Sequence, residues 1–208
     1  MGKIPVDVEA AGIDLLSLSG HKFHGPKGVG ALYVRRGIKL KRQIHGGPQE
    51  LQRRGGTENT PGIIGLGVAA ELARTFVQDR EAINRLAALR DRFESQVLRL
   101  IPGSRINGPD TPEQRLWNTT NLAFPSLEAE AILLGLSERG VCASAGAACS
   151  SGSLEPSPVL LAMGVPEPVA HGSVRFSFSR DTRESEVETA LQVLPQVVAR
   201  LGRVMPVG

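Results

Sequence analysis

The sequence predicts a mixed α/β chain made of two unlike pieces, and three observations carry that prediction. Two short apolar runs near the start flank a glycine-rich connection, Gly25-Pro26-Lys27-Gly28-Val29-Gly30. A stretch from about Ile63 to Leu100 repeats apolar residues at helical spacing. Beyond it, strand-like and helical runs alternate to the end, the pattern of a compact α+β domain.

The elements follow in order. Residues 13–19 and 29–34 read as buried strands. The glycines between them allow close backbone approach. Residues 43–62 are irregular, with Gly46-Gly47-Pro48 and Gly55-Gly56-Thr57. The helical stretch presents Leu66, Ala69, Ala73 and Phe76, then Leu86, Leu89, Phe93 and Val97, and Pro102-Gly103 ends it. Residues 116–124 read as a strand. Ser126 reads as the N-cap of a helix that runs to about Glu138 and stops at Gly140. Val141 to Ala143 reads as a short strand, Ser157 to Met163 as a helix, 174–178 as a strand, and Glu184 to about Val204 as the last helix. Two buried strands cannot make a sheet covered on both faces. Residues 1–74 are therefore expected to be the end of a larger domain with the start of a linker helix, and residues 75–208 a small α+β domain.

Composition narrows the function. Of 208 residues, 41% are hydrophobic and 22% charged, which is ordinary for a soluble domain. The net charge of +3 is small. The one basic cluster, Arg35, Arg36, Lys39, Lys41 and Arg42, reads as a solvated strand end with only Tyr33 near it. That argues against a nucleic-acid platform. Two cysteines, Cys142 and Cys149, are too few to staple the fold and point to a reducing compartment. No metal-ligand spacing, membrane-length apolar run or signal-peptide core is present, so a cytoplasmic protein without membrane or nucleic-acid partners is expected.

A few residues carry chemistry. Cys149 stands in a run of small residues, Ala145 to Ser153, which gives its thiol no apolar partners. Cys142, just after Val141, fits a buried core position. Lys22 follows Ser19 and His21 at a strand end. It reads either as a solvated terminus or as an amine for a Schiff base beside a hydroxyl and an imidazole that hold a phosphate. Arg175 lies between Val174 and Phe176 and needs a partner, which is either a structural salt bridge or a bound carboxylate. Thr57 is a turn residue or a phosphate donor. His24, His45 and His171 read as surface or turn residues, and Trp117 as core.

Together these stretches resemble the cysteine desulfurases of the NifS type, class V aminotransferase-like enzymes of the fold-type I pyridoxal-phosphate transferases. The motifs are Ser19-Gly20-His21-Lys22, Gly25-Pro26-Lys27-Gly28, Gly55-Gly56-Thr57, Ala145 through Pro158, and Ser173-Val174-Arg175-Phe176-Ser177. The resemblance implies that Lys22 anchors pyridoxal 5'-phosphate and later moves protons, and that Ser19 and His21 bind its phosphate. It implies that Thr57 reaches the phosphate in the neighbouring subunit of a homodimer, and that Arg175 holds the carboxylate of L-cysteine. Cys149 would attack the substrate sulfur, leaving L-alanine and a persulfide that passes to an iron–sulfur scaffold protein. A transient shared iron–sulfur ligand at Cys149 is also implied.

Family members are much longer, and their first half supplies the groups that stack on and pair with the pyridine ring. The expectation is thus a C-terminal half, a poor catalyst alone. Beside a bare structural domain with a decayed site, which the intact Lys22, Cys149 and Arg175 make less attractive, two other readings stay open. One is a different class V enzyme, an aminotransferase or a selenocysteine lyase. The other is a non-catalytic fragment that binds a scaffold protein or a partner subunit.

Overall fold

A computed structural model describes residues 1–109, 111, 114–145 and 155–204. The chain divides into two compact units, Met1–Arg80 and Glu81–Gly208. The division falls between residues 80 and 81 rather than between 74 and 75.

The first unit holds an antiparallel pair, β1 (Leu15–Ser19) and β2 (Gly30–Val34), and one helix, α1 (Thr60–Phe76). The pairing runs in register from Leu15 opposite Val34 to Ser19 opposite Gly30. A single-turn 3-10 segment, Gly20–Phe23, follows β1. Asn59 caps α1 by accepting from the Gly62 N–H at 3.1 Å, and Pro61 sits where a missing N–H costs nothing. The small core is Phe23, Ala69 and Ala73, with Leu18, Leu66 and Ala70 against it. The strands are not buried as expected. Leu15 is 46% and Leu32 52% exposed, because they share the face of the hairpin opposite Leu18, the residue that packs on the core.

The expected single helix over 63–100 is two helices. After α1 the chain breaks at 77–79, and α2 runs Arg80–Leu100. The sequence carries no Pro or Gly there. The break is made by Asp79, a residue that favours the position just before a helix and competes with the backbone inside one.

The second unit has a three-stranded antiparallel sheet in the order β3 (Arg105–Ile106), β4 (Thr119–Ala123), β5 (Ser173–Ser177). Around it lie α2, α3 (Ala129–Ser137), α4 (Pro158–Ala162), α5 (Glu167–His171) and α6 (Glu184–Val204). Leu122, Val174, Phe176, Leu86, Phe93 and Val97 are core residues, and the Phe93 and Phe176 rings lie 5.0 Å apart. Trp117 is buried, as read from sequence.

Three local expectations are corrected. Ser126 is not an N-cap: it sits at φ 68°, and α3 starts later with Glu128 in the cap position. The 141–143 segment is not a strand, and the chain meets the sheet at one bridge, Ser144 with Arg175. β3 and α5 were not expected. β3 is only two residues long, and α5 is a single turn behind Pro166, too short for periodicity to show.

Candidate functional site

Lys22 is positioned by close packing under its turn. A Cβ on Gly25 would stand 2.9 Å from the Gly20 carbonyl oxygen, and one on Gly65 of α1 only 2.5 Å from Pro26 Cγ. Only glycines allow α1, the 3-10 turn and the following loop to approach so closely. The Gly20 N–H donates to Val29 O and the Gly25 N–H to Gly20 O, each at 2.9 Å, and His24 closes the turn at φ 69°. Gly20 and Phe23 are buried while His21 and Lys22 stay exposed. Ser19 Oγ and His21 Nδ1 lie 3.4 Å apart.

A hydroxyl, an imidazole and a primary amine therefore share one exposed turn. This donor set fits a phosphate monoester beside an aldehyde that a lysine can condense with. Thr57 lies exposed on a separate loop of the same unit, after the buried Gly55. A Cβ on Gly55 would come within 2.7 Å of His45 O, so the backbone there is also tightly drawn in.

Arg175 is in the second unit, at the middle of β5, and is partly buried. Its N–H donates to Ser144 O at 2.6 Å and its carbonyl accepts from the Ser144 N–H at 3.1 Å. Both of its main-chain groups thus face Ser144. Across the other side, Asn121 of β4 is its register partner. Asn107, just past β3, donates its N–H to Asn121 O at 2.9 Å. One polar row, Asn107, Asn121, Arg175 and Ser144, crosses the sheet.

Side chains extend the row. Asn107 Nδ2 donates to Asn121 Oδ1 at 2.7 Å and to Ser173 Oγ at 2.9 Å. The Ser173 hydroxyl donates to Val169 O at 2.8 Å. Asn107 and Asn121 had no signal in the sequence, and the motif that includes Ser173 did not point to them, since strand pairing alone brings the three together.

The remaining expectations resolve as follows. Cys149 lies outside the described residues, as do Ser153 and Leu154. Cys142 is exposed and lines a cavity of about 360 Å³ with Phe93, Phe176 and Phe178, so the core reading fails. Among the described residues its segment joins the sheet only at Ser144, which leaves the thiol uncovered. Arg35 pairs with Asp14 at 3.2 Å and donates to Ile13 O, a structural role at a strand end. His171, in the last turn of α5, lies 3.7 Å from Glu128 and 3.8 Å from Glu167. Among the described residues no group of three His, Cys, Asp or Glu could hold a metal ion, and no helix is long and apolar enough to cross a membrane.

Residues 1–190 match the family model for class V aminotransferases, and the chain belongs to that family. It is 52% identical to cysteine desulfurase 2 of Trichormus variabilis and 54% to a cysteine desulfurase of Gluconacetobacter diazotrophicus. Each comparison covers 99% of this chain and 50% of the relative. A solved NifS-like protein superposes with a TM-score of 0.84 at 36% identity, over 96% of this chain and 50% of that one. The chain thus spans about half the length of the curated relatives it matches. The fold is the fold-type I architecture that the resemblance implied, and the family is pyridoxal-phosphate-dependent.

Proposed function

We propose that this chain carries the lysine, the nucleophile and the carboxylate clamp of a cysteine desulfurase, which converts L-cysteine to L-alanine and holds the released sulfur as a persulfide on Cys149. Ser19, His21 and Lys22, with Thr57 of the neighbouring subunit in a homodimer, would hold pyridoxal 5'-phosphate. When bound, that group supplies an electron sink for the substrate carbon. Lys22 moves protons at its Nζ. Arg175 orients the substrate through a bidentate contact with its carboxylate.

The Cys149 thiolate attacks the substrate sulfur. An S–S bond forms as the substrate C–S bond breaks, and the electron pair left on the carbon side is protonated to give L-alanine. The outer sulfur then passes to a thiol of an iron–sulfur scaffold protein, in the cytoplasm. A transient iron–sulfur ligand role for Cys149 would belong to that transfer.

The observation that carries this reading is the pair of backbone hydrogen bonds between Ser144 and Arg175. They fix the start of the cysteine segment to the residue that reads as the carboxylate clamp. Five residues of chain span at most about 18 Å, which bounds the distance from Ser144 at which a Cys149 thiol would act. The likeness to cysteine desulfurases at about half identity supports the same reading.

The test supplies L-cysteine and pyridoxal phosphate to the chain, alone and co-expressed with the remaining half of the Trichormus variabilis relative. The expected result is slow alanine release alone, faster release with the added half, and a persulfide mapped to Cys149 by mass spectrometry. Cys149→Ser should abolish the persulfide, and Lys22→Ala the alanine. Alanine release that survives Cys149→Ser would turn the reading to a lyase or aminotransferase. Co-purification with a scaffold protein, with no alanine under any condition, would turn it to a binding fragment.

A further inference from the structure

β5 lies at the edge of its sheet, and its outward backbone groups are only partly used. Toward β4, the Phe178 N–H donates to Asn118 O and the Phe124 N–H to Gly172 O. Bonded and unbonded pairs alternate along an antiparallel ladder. Phe176 therefore faces β4, while Arg175 and Ser177 turn their N–H and carbonyl outward. Arg175 meets Ser144 there, through backbone bonds of 2.6 and 3.1 Å. The same register carried two residues further sets Cys142 opposite Ser177, as the next bonded pair. Among the described residues no backbone hydrogen bond joins those two.

The chain on either side is already anchored for that pair. The Val141 N–H donates to Leu136 O of α3 at 3.0 Å, and Gly140 makes the left-handed turn before it at φ 77°. Continued register places Val141 opposite Phe178 in an unbonded pair, whose N–H and carbonyl point away from β5. The bond to Leu136 is thus compatible with the pairing. Residues 142 and 143 bridge two held points, Val141 and Ser144. Side chains alternate along a strand, so Val141 falls on the face of Phe176 and Phe178, and Cys142 on the face of Arg175. On the phenylalanine side lies the cavity of about 360 Å³, whose walls include Phe93, Phe176, Phe178, Val141 and Val187.

We propose that residues 141–143 form a clasp with a closed position on β5. In that position the Cys142 N–H donates to Ser177 O, and the Ser177 N–H donates to Cys142 O. The Val141 side chain settles into the cavity against Phe178. Two effects favour closing. An apolar side chain leaves water for an aromatic wall. A β-branched residue takes the extended backbone that suits it. In the open position Cys142 and Ser177 are exposed. Closing turns the isolated Ser144–Arg175 bridge into a ladder of two bonded pairs. The chain that leads on to Cys149 then departs from a firmer anchor.

The test follows backbone amide hydrogen exchange by NMR on the isotope-labelled full chain, with the through-space Hα–Hα contact of Val141 and Phe178, which an unbonded antiparallel pair brings close. The expected result is that contact, together with a Ser177 amide that exchanges more slowly than an open-chain amide. Val141→Ser should speed Ser177 exchange about tenfold or more, the scale of moving one valine side chain out of an apolar site. The Phe176 amide, which faces β4, should not change. Val141→Ile, which fills more of the cavity, should slow Ser177 exchange. Absence of the Val141–Phe178 contact overturns the proposal, as does Ser177 exchange at the open-chain rate or exchange indifferent to both substitutions. If Val141→Ser also frees the Phe176 amide, that variant has lost its fold and Val141→Ile decides: slower Ser177 exchange supports the clasp, and unchanged exchange removes it.

Discussion

Gly172 sits where the start of β5 meets the end of β4, and a methyl group has no room there. A Cβ would stand 2.2 Å from Phe124 O and 2.7 Å from Leu127 O, both backbone atoms that cannot swing aside. Gly67 on α1 is the opposite case, with nothing within 4 Å of an added Cβ. Gly172→Ala should therefore cost about 1–3 kcal/mol through overpacking. Gly67→Ala should gain up to about 1 kcal/mol from helix propensity. Urea denaturation of the two variants checks both signs; a neutral Gly172→Ala would mean that β4 and β5 can part without loss. Sequence reasoning worked best at this scale where the partners are neighbours in the chain. Ser19, His21 and Lys22 lie on one turn, so their grouping was legible. Asn107 and Asn121 are 14 residues apart, and Asn107 and Ser173 are 66 apart. No local pattern marks such pairs.

Among the elements, α2 does more than supply an apolar face. Arg90 and Glu94, one turn apart, are 3% and 5% exposed. Arg90 donates to Leu116 O at 2.6 Å, and Arg115 makes a two-pronged pair with Glu94. Together they hold the segment that leads into β4 and so into Asn121. Removing one partner of a buried pair leaves an uncompensated charge, at a cost of about 3–5 kcal/mol. Arg115→Ala should lose stability on that scale. The double variant Glu94→Leu/Arg115→Leu should lose much less, because neither charge of that pair is left buried without its partner. Equal losses in the two would show that the pair itself, rather than the stranded carboxylate, carries the energy. The apolar spacing of α2 was plain in the sequence, but its buried charges were not, since periodicity treats every polar residue as solvent-facing. The start of α3 failed for a related reason. Ser126 is a good cap by type, yet its left-handed backbone rules out the extended conformation a cap needs.

Across the whole molecule the two units are unequally built. The first buries a core of three residues, Phe23, Ala69 and Ala73. It leaves Ile64, Val68 and Leu72 on α1 at 63%, 57% and 50% exposure. The second fully buries Leu86, Phe93, Leu122, Phe124, Ile132, Leu136, Val174, Leu194 and Val197, or nearly so. Each such side chain contributes about 1.5–3 kcal/mol relative to exposure, and the cost of ordering the backbone is similar per residue in both units. The second unit should therefore hold its structure under conditions that melt the first. Unfolding in urea should proceed in two steps. Native-state hydrogen exchange should show the amides of β1, β2 and α1 opening at lower free energy than those of β4, β5 and α6. The Lys22 turn would then open more readily than the Arg175 row. A single transition in which both sets exchange with the same free energy would show that the chain folds as one cooperative body.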